Sequence, residues 1–326
     1  KKNFNILITC VGGELIPQSI NFLKKSKKFN VKIIGVDLNL DPIGKNFCDY
    51  FYQVCKPLES KKYINQIIKI SNKHKVNLII PTSDEESLCL AQKKHLIERK
   101  NLKVSCANFS ALKIFSSKIL TYKKLNELGV STPDYIEINS FKDLKKKIKK
   151  IKEVVIKPAV SRGGRDVYVV SNKIKAYRSL NNEREMHCNI KVFNSKFSKK
   201  LKNYPLILME KLVPPTYDLD ILASDDKLKK LVLRKRIVPE EPNSGHIFEK
   251  LPKNILNDFK NIVKNLKLNW LYDCDLMRDK KGNYKILEIN PRPSGSVAVS
   301  CAAGVNLLED LLLIHQNKKI NIKYGI

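Results

Sequence analysis

Residues 4–37 constrain the fold more than any other stretch. An apolar run, Phe4-Asn5-Ile6-Leu7-Ile8-Thr9, meets a glycine turn at Cys10-Val11-Gly12-Gly13. A helical pattern follows over 15–25, and a second apolar run over 31–37 ends in Asp37. Strand, turn, helix and strand is the unit of a parallel sheet, because parallel strands need a crossover, usually a helix. A third apolar strand at 77–80 ends in Pro81-Thr82-Ser83-Asp84-Glu85-Glu86, where Ser83 or Asp84 caps the next helix. The pattern predicts a doubly wound α/β lobe that closes near residue 110. Ligands of such sheets sit in the loops at the carboxyl ends of the strands. The glycine turn lacks the spacing G-x-G-x-x-G, so it is weak evidence for a dinucleotide.

Beyond that lobe, residues 110–128 read as one helix, capped by Ser110 or Ser116 and stopped at Gly129. A basic helix is expected over 141–152. Strands at 153–157 and 166–170 flank a glycine turn at 161–165 and read as a hairpin. Residues 171–203 lack periodicity and read as an insertion. Further strands are expected at 205–210, 219–223 and 231–236, the last two joined by a turn at Ser224-Asp225-Asp226. Two prolines and a glycine make 239–250 a loop. A helix at 252–266, strands at 270–277 and 284–290, and a helix at 305–315 complete the chain. No internal repeat is visible.

With 326 residues, the chain is long enough for two or three lobes and a sizeable core. No run approaches the ~18 apolar residues of a membrane span. The first residues read as a strand rather than a signal peptide. The net charge is +30, from 62 basic and 32 acidic residues. The excess is mostly Lys and spread along the whole length, which argues against a dedicated nucleic-acid stripe and leaves a positive field that attracts anions such as ATP. Eight cysteines form no CxxC pair and several sit in apolar runs, as expected of reduced thiols in a cytoplasmic protein. The five histidines lack zinc-ligand spacing.

Four segments carry chemistry. Val154-Val155-Ile156-Lys157-Pro158 ends an apolar strand in a cation suited to phosphate. Ser161-Arg162-Gly163-Gly164-Arg165 follows, with backbone N–H groups able to close over phosphate oxygens. Met209-Glu210-Lys211-Leu212 is a strand end that offers backbone and a carboxylate to an adenine amino group. The last segment is Lys285-Ile286-Leu287-Glu288-Ile289-Asn290-Pro291-Arg292. Glu288 and Asn290 leave one face of a strand. Asp275, on the neighbouring strand, adds a third oxygen ligand suited to Mg²⁺. Arg292 continues the alternation and can meet a phosphoryl group. Arg234, Lys235 and Arg236 end another strand, where at least one is expected at a substrate carboxylate, and Ser294-Gly295-Ser296 form a small-residue loop after Arg292 that is expected near the substrate.

Together these segments resemble the ATP-grasp superfamily, in particular the ATP-binding half of carbamoyl-phosphate synthetase and carboxylate–amine ligases. The resemblance implies an α/β ATP-grasp fold. Its parts are a Rossmann-like pre-ATP-grasp lobe (1–110), a small α+β lid with its preceding helix (111–207) and an α+β metal-bearing lobe (208–326). It implies that Lys118 and Lys157 bind ATP phosphates, with Ser161, Gly163 and Gly164 in the flap over them. Glu210, Lys211 and Leu212 form the adenine hinge. Asp275, Glu288 and Asn290 are the metal ligands, and Arg292 is the catalytic Arg beside the acyl phosphate. The family's ribose-binding Glu is absent from Val213-Pro214-Pro215-Thr216-Tyr217-Asp218; Thr216 stands in its place and Asp218 is the candidate substitute.

The reaction so implied is ATP- and Mg²⁺-dependent amide formation from small-molecule carboxylate and amine through an acyl phosphate. It requires one or two metal ions, with Mn²⁺ as a substitute, and a homodimer is common for the family. Two alternatives stay open: another ATP-grasp chemistry, through carboxyphosphate or plain phosphoryl transfer, and a nucleic-acid-binding protein that kept the fold.

Overall fold

The computed structural model describes residues 1–148, 152–161, 166–180, 185–201, 204–238 and 245–326. The first lobe comprises β1 (Lys2–Thr9), α1 (Ile16–Lys24), β2 (Phe29–Asp37), β3 (Tyr50–Gln53), α2 (Ser60–Lys73), β4 (Leu78–Ile80), α3 (Asp84–Gln92), α4 (Lys94–Ile97) and β5 (Lys103–Val104). Its five strands run parallel in the order β3-β2-β1-β4-β5. Helix α2 buries Tyr63, Ile64, Ile67, Ile70 and Ser71, the spacing of one helical face. Asp37 is committed locally: Gly12 N–H donates to one of its oxygens at 2.8 Å and Asn39 N–H to the other at 2.8 Å. Ser83 caps α3 by accepting from Glu86 N–H.

The expected helix at 110–128 is two helices, α5 (Phe109–Phe115) and α6 (Lys118–Glu127). The break has a local cause. Ser117 is extended and its hydroxyl accepts from Leu120 N–H, starting a new helix where the old one could have run on. The stop at Gly129 follows the reading: with φ +72°, it lets Val130 N–H reach Leu125 O at 2.9 Å.

A second sheet follows, in the order β6-β11-β7-β8-β10-β9. It is built from β6 (Tyr135–Ile138), β7 (Glu153–Pro158), β8 (Val167–Ser171), β9 (Arg178–Leu180), β10 (Glu185–Cys188) and β11 (Leu206–Met209), with α7 (Phe141–Ile148) and α8 (Ile190–Val192) beside them. The region 171–203 is therefore no separate insertion. It supplies β9 and β10, and β10 pairs in parallel with β8. The expected lobe boundary at 207/208 falls inside β11.

The third sheet carries the site. Its strands are β12 (Val213–Ser224), β13 (Lys227–Arg236), β14 (His246–Phe248), β15 (Trp270–Arg278) and β16 (Tyr284–Asn290), in the order β14-β13-β12-β15-β16, with β17 (Lys323–Tyr324) beside β13. The β12–β13 turn uses Asp225 and Asp226, both at positive φ, as a two-residue hairpin turn requires. The expected 239–250 loop contains the edge strand β14; residues 239–244 lie outside the described residues. One face of the sheet buries Tyr217, Leu219, Leu231, Leu233, Tyr272 and Cys274 in a core shared with α9 (Lys253–Asn265). Helices α10 (Val297–Ala302) and α11 (Leu307–His315) pack in a second apolar cluster with Ile8, Ile20, Leu23 and Ile80 of the first lobe.

Candidate active site

The opposite face of the third sheet is charged, because strand residues two apart share a face. Asp218 and Asp220 project from β12, Arg234 and Arg236 from β13, Asp273 and Asp275 from β15, and Glu288 and Asn290 from β16. Register aligns them: Asp275 lies opposite both Asp218 and Glu288, and Asp273 opposite both Asp220 and Asn290. A bulge makes this possible on β16. Pairing steps from Leu276↔Ile286 to Asp275↔Glu288, leaving Leu287 as the extra residue. Tyr284, Ile286 and Ile289 are thus all buried in one core cluster, while Glu288 and Asn290 meet the charged face. Without that extra residue, Glu288 would share the core face with Ile286.

Each carboxylate is held by a cation or lies beside one. Glu288 Oε2 is 3.0 Å from Lys118 Nζ. Lys118 opens α6; its N–H donates to Ala159 O at 2.8 Å and its Nζ donates to Ser161 O at 2.9 Å, so three chain segments meet at one cation. Burial alone would raise the Glu288 carboxyl, but Lys118 and Lys157 prevail and hold it at about 2. Lys157, buried on β7, is pulled down to about 8 by burial and by the like charge of Lys118. Arg236 bridges two acids, with Nη2 2.6 Å from Asp218 Oδ1 and 2.8 Å from Asp275 Oδ1. His246 Nε2 lies 2.8 Å from Asp218 Oδ2. Burial opposes ionisation of Asp218, yet His246 and Arg236 hold it well below the usual carboxylate range. Arg292 pairs through Nε with Asp84 Oδ1 at 3.1 Å, and its Nη1 is 3.7 Å from Asp273 Oδ2.

Carboxylate oxygens of Asp218, Asp273 and Asp275 lie within 4.8 Å of one another. Burial and the charge of Asp218 raise Asp273 to about 7. Burial also raises Asp275, with Arg236 opposing and Asp273 and Glu288 adding to the rise. Asp273 Oδ1 is buried without a hydrogen-bond partner, while its Oδ2 accepts from Asn290 Nδ2 at 3.0 Å. A buried carboxylate oxygen with no donor, inside a cluster of like charges, is a place a hard cation would relieve. The donor set fits Mg²⁺.

The structure brings Lys118, Lys157, Asp275, Glu288, Asn290 and Arg292 into one neighbourhood. Others it places in settings different from those expected. Asp218, expected at the ribose, is 2% exposed and stands in the acid cluster under Arg236 and His246. Arg234, expected at a substrate carboxylate, is 0% exposed; Asp220 takes it bidentately at 3.1 Å and 3.1 Å, and the Ser296 and Ser294 hydroxyls accept one further N–H each. It holds the loop after Arg292 and meets no solvent. Glu210 is tied to the residue before β6, with its Oε1 accepting from Asp134 N–H at 3.0 Å and its own N–H donating to Asp134 O at 2.9 Å. Lys211 pairs with Glu153 at 3.2 Å and Leu212 is buried. Gly163 and Gly164 lie outside the described residues. Asp273 and His246 are members that the sequence reading missed. Asp273-Cys274-Asp275 carried a signal for the first, since both acids share one strand face.

Comparisons with known proteins agree with this architecture. The family described as "ATP-grasp in the biosynthetic pathway with Ter operon" matches residues 202–323, and the "PylC-like, N-terminal domain" matches residues 6–105. The carbamoyl-phosphate synthase of Methanobrevibacter smithii is 24% identical over 291 residues, covering 86% of this chain and 74% of that protein. Among solved structures, N5-carboxyaminoimidazole synthetase of Staphylococcus aureus superposes with a TM-score of 0.71 at 14% identity, covering 99% of this chain and 80% of that one. The biotin carboxylase domain of Hydrogenobacter thermophilus 2-oxoglutarate carboxylase, solved with MgADP and bicarbonate, gives 0.70 at 15% identity, covering 98% and 71%.

Proposed function

We infer that this chain, which belongs to the ATP-grasp superfamily, is an ADP-forming ligase that joins a carboxylate to an amine. The observation that carries the reading is the convergence of Lys118, Lys157 and Arg292 on the Asp275–Glu288–Asn290 face, where cations and oxygen ligands alternate within one neighbourhood. Asp275, Glu288 and Asn290, with Asp273 beside them, are the residues that would hold Mg²⁺. When bound, the metal offsets the charge of the nucleotide phosphates.

The chain's own groups do the rest. Lys118 and Lys157 grip phosphate oxygens from the lid side, and Arg292 faces them from the other. A substrate carboxylate oxygen attacks the γ-phosphorus, the bond to the bridging oxygen breaks, and ADP leaves with that electron pair. The amine nitrogen then attacks the acyl carbon and gives up a proton, and inorganic phosphate departs as the C–O bond breaks. No side chain serves as a nucleophile. The work is positioning and electrostatic stabilisation in a site shielded from water. Glu210, Lys211 and Leu212 lie next to β11 and remain the adenine side of this reading, with Ser161 beside the phosphates.

ADP release tests it, measured with MgATP and a panel of carboxylate–amine pairs. The expected result is ADP formation that needs both partners. Absence of ADP with every pair, together with absence of MgATP binding, would defeat the reading. ADP release with bicarbonate and no amine would move the assignment to carboxyphosphate chemistry.

A further inference from the structure

A cavity of about 450 Å³ opens beside Arg292, between the carboxyl ends of β1 and β4 and the segment from Arg292 to α11. Its size falls in the usual range of ligand sites. The interior wall is aliphatic: Ile8, Ile16, Leu23, Ile80, Val297 and Leu308 line it. Polar groups gather elsewhere on the lining. Arg292 is one, and Glu14 and Asp84 are its carboxylates. In a chain with 62 Lys and Arg, Arg292 is the sole cation of this wall among the described residues, and it already pairs with Asp84 at 3.1 Å.

That distribution selects against a class of substrate. A phosphorylated or dicarboxylic ligand needs several cations or a cluster of donors to replace its water. This wall offers one guanidinium, two acids and the hydroxyls of Ser19, Thr82, Ser83 and Ser294. Thr82 already donates to Thr9 O, Ser83 donates to Glu86 Oε2, and Ser294 is tied to Arg234 and Ser296, so these hydroxyls make no free donor cluster for a polyanion. An aliphatic wall instead favours a body made of CH₂ and CH₃ groups, at ~25 cal/mol per Å² of apolar surface removed from water. We propose that the cavity receives an unphosphorylated amino acid with an aliphatic side chain. Its carboxylate lies against Arg292, its ammonium against Glu14 and Asp84, and its side chain among Ile8, Ile80, Leu23 and Leu308. The proposal rests on the ligase reading, since it makes this carboxylate the one that meets the phosphoryl group. It adds the substrate class that the charged face cannot specify. The fixed position of Ser294, held by Arg234, closes the same wall.

The test uses the full chain and isothermal titration with L-leucine, L-aspartate and ribose 5-phosphate, with MgATP titrated separately. L-leucine is expected to bind at least tenfold tighter than either of the others. Ile16→Glu, which places a charge on the aliphatic wall, is expected to weaken L-leucine at least tenfold and leave MgATP binding unchanged. Glu14→Lys is expected to weaken L-leucine but not 4-methylpentanoate, its analogue without the amino group. Binding of ribose 5-phosphate or L-aspartate as tight as L-leucine overturns the proposal, as does L-leucine binding that Ile16→Glu leaves intact. Either result leaves the ligase reading standing if MgATP still binds and ADP is released with another acid. Loss of MgATP binding is a separate failure, of the ligase reading itself.

Discussion

Replacing Arg234 by Met separates two views of this residue. Its sequence context, a basic residue near a strand end, suggests a hand for a substrate carboxylate. In the fold both Arg234 and its partner Asp220 have side chains that are 0% exposed, joined by two hydrogen bonds of 3.1 Å. Removing one partner of a buried pair strands the other, at a cost of about 3–5 kcal/mol. A second route gives the same size. An aspartate that must take up a proton to stay buried costs about 4 kcal/mol at pH 7 and about 1.5 kcal/mol at pH 5, from the distance between pH and its ordinary value near 3.9. The sign follows from proton binding. The folded variant holds a proton that the unfolded chain has released, so its stability falls as pH rises from 4 to 7. Urea denaturation of Arg234→Met at pH 5 and pH 7 should show a loss of about 4 kcal/mol at pH 7 that shrinks by more than half at pH 5. Asp220→Leu combined with Arg234→Met should recover part of the loss, since no lone charge remains. A variant within about 0.5 kcal/mol of the parent at both pH values, well inside the ordinary scatter of surface substitutions, would refute the buried-pair reasoning. If that same variant failed to turn over, Arg234 would return to the substrate.

Three further outcomes follow from the charged face. Glu288→Gln keeps the shape of the side chain but loses the charge that Lys118 meets at 3.0 Å; ADP release should drop at least 100-fold with an unchanged circular dichroism spectrum, while the melting temperature falls because Lys118 and Lys157 lose the carboxylate they hold ionised. Arg236→Met removes the cation that occupies Asp218 and Asp275; electron paramagnetic resonance should then detect Mn²⁺ binding without nucleotide, and Mn²⁺ should raise the variant's melting temperature more than the parent's. Lys157, brought down to about 8, loses its proton above that pH in the free protein, while an arriving phosphate favours the charged form. ATP affinity should therefore fall by up to about tenfold per pH unit above 8. This group's contribution to stability should move the other way, rising between pH 8 and the unfolded value, because there the unfolded chain binds the extra proton. A flat ATP affinity from pH 7.5 to 9.5 would remove Lys157 from the phosphate grip.

Which parts of this were legible in the sequence depends on how local their causes are. Strand–turn–helix alternation at 4–37 exposed the parallel first sheet, since its strands are buried on both faces and read as apolar runs. The acid positions on β15 and β16 were legible from period two. Their final facing was not, because the bulge at Leu287 decides it and a bulge is set by pairing across strands. The second sheet was only half legible. Strands of three and four residues such as β9 and β10 are too short to show a period, and β10 joins β8 in parallel through a connection that no local signal announces. The helix break at Ser116-Ser117 was present in the sequence as two cap-forming residues in a row, yet a cap inside an otherwise helical pattern competes with continuation, and local spacing cannot rank the two.

Arginine roles were the least legible, for a physical reason. Arg234 and Arg236 are two apart on one strand and share a face, so the sequence gives them the same chemistry. Their depth differs: one is fully buried under the Ser294–Ser296 loop, the other retains 14% of its side chain in solvent at the rim of the acid cluster. Depth turns the first into a fastening and the second into a charge that can be exchanged. The resting site is built on such exchanges. Lys118 sits on Glu288 and Arg236 on Asp275, so the proposed ligand oxygens are held in place by cations before any metal or nucleotide arrives. An incoming metal would replace charge contacts rather than create them, which keeps the geometry fixed while the partners change. The same logic would let a chain of net charge +30 select the weakly charged substrate proposed for the cavity. On the proposals above, the positive field would draw the anionic nucleotide toward the charged face, while the aliphatic wall beside Arg292, with its single paired cation, would disfavour a second polyanion.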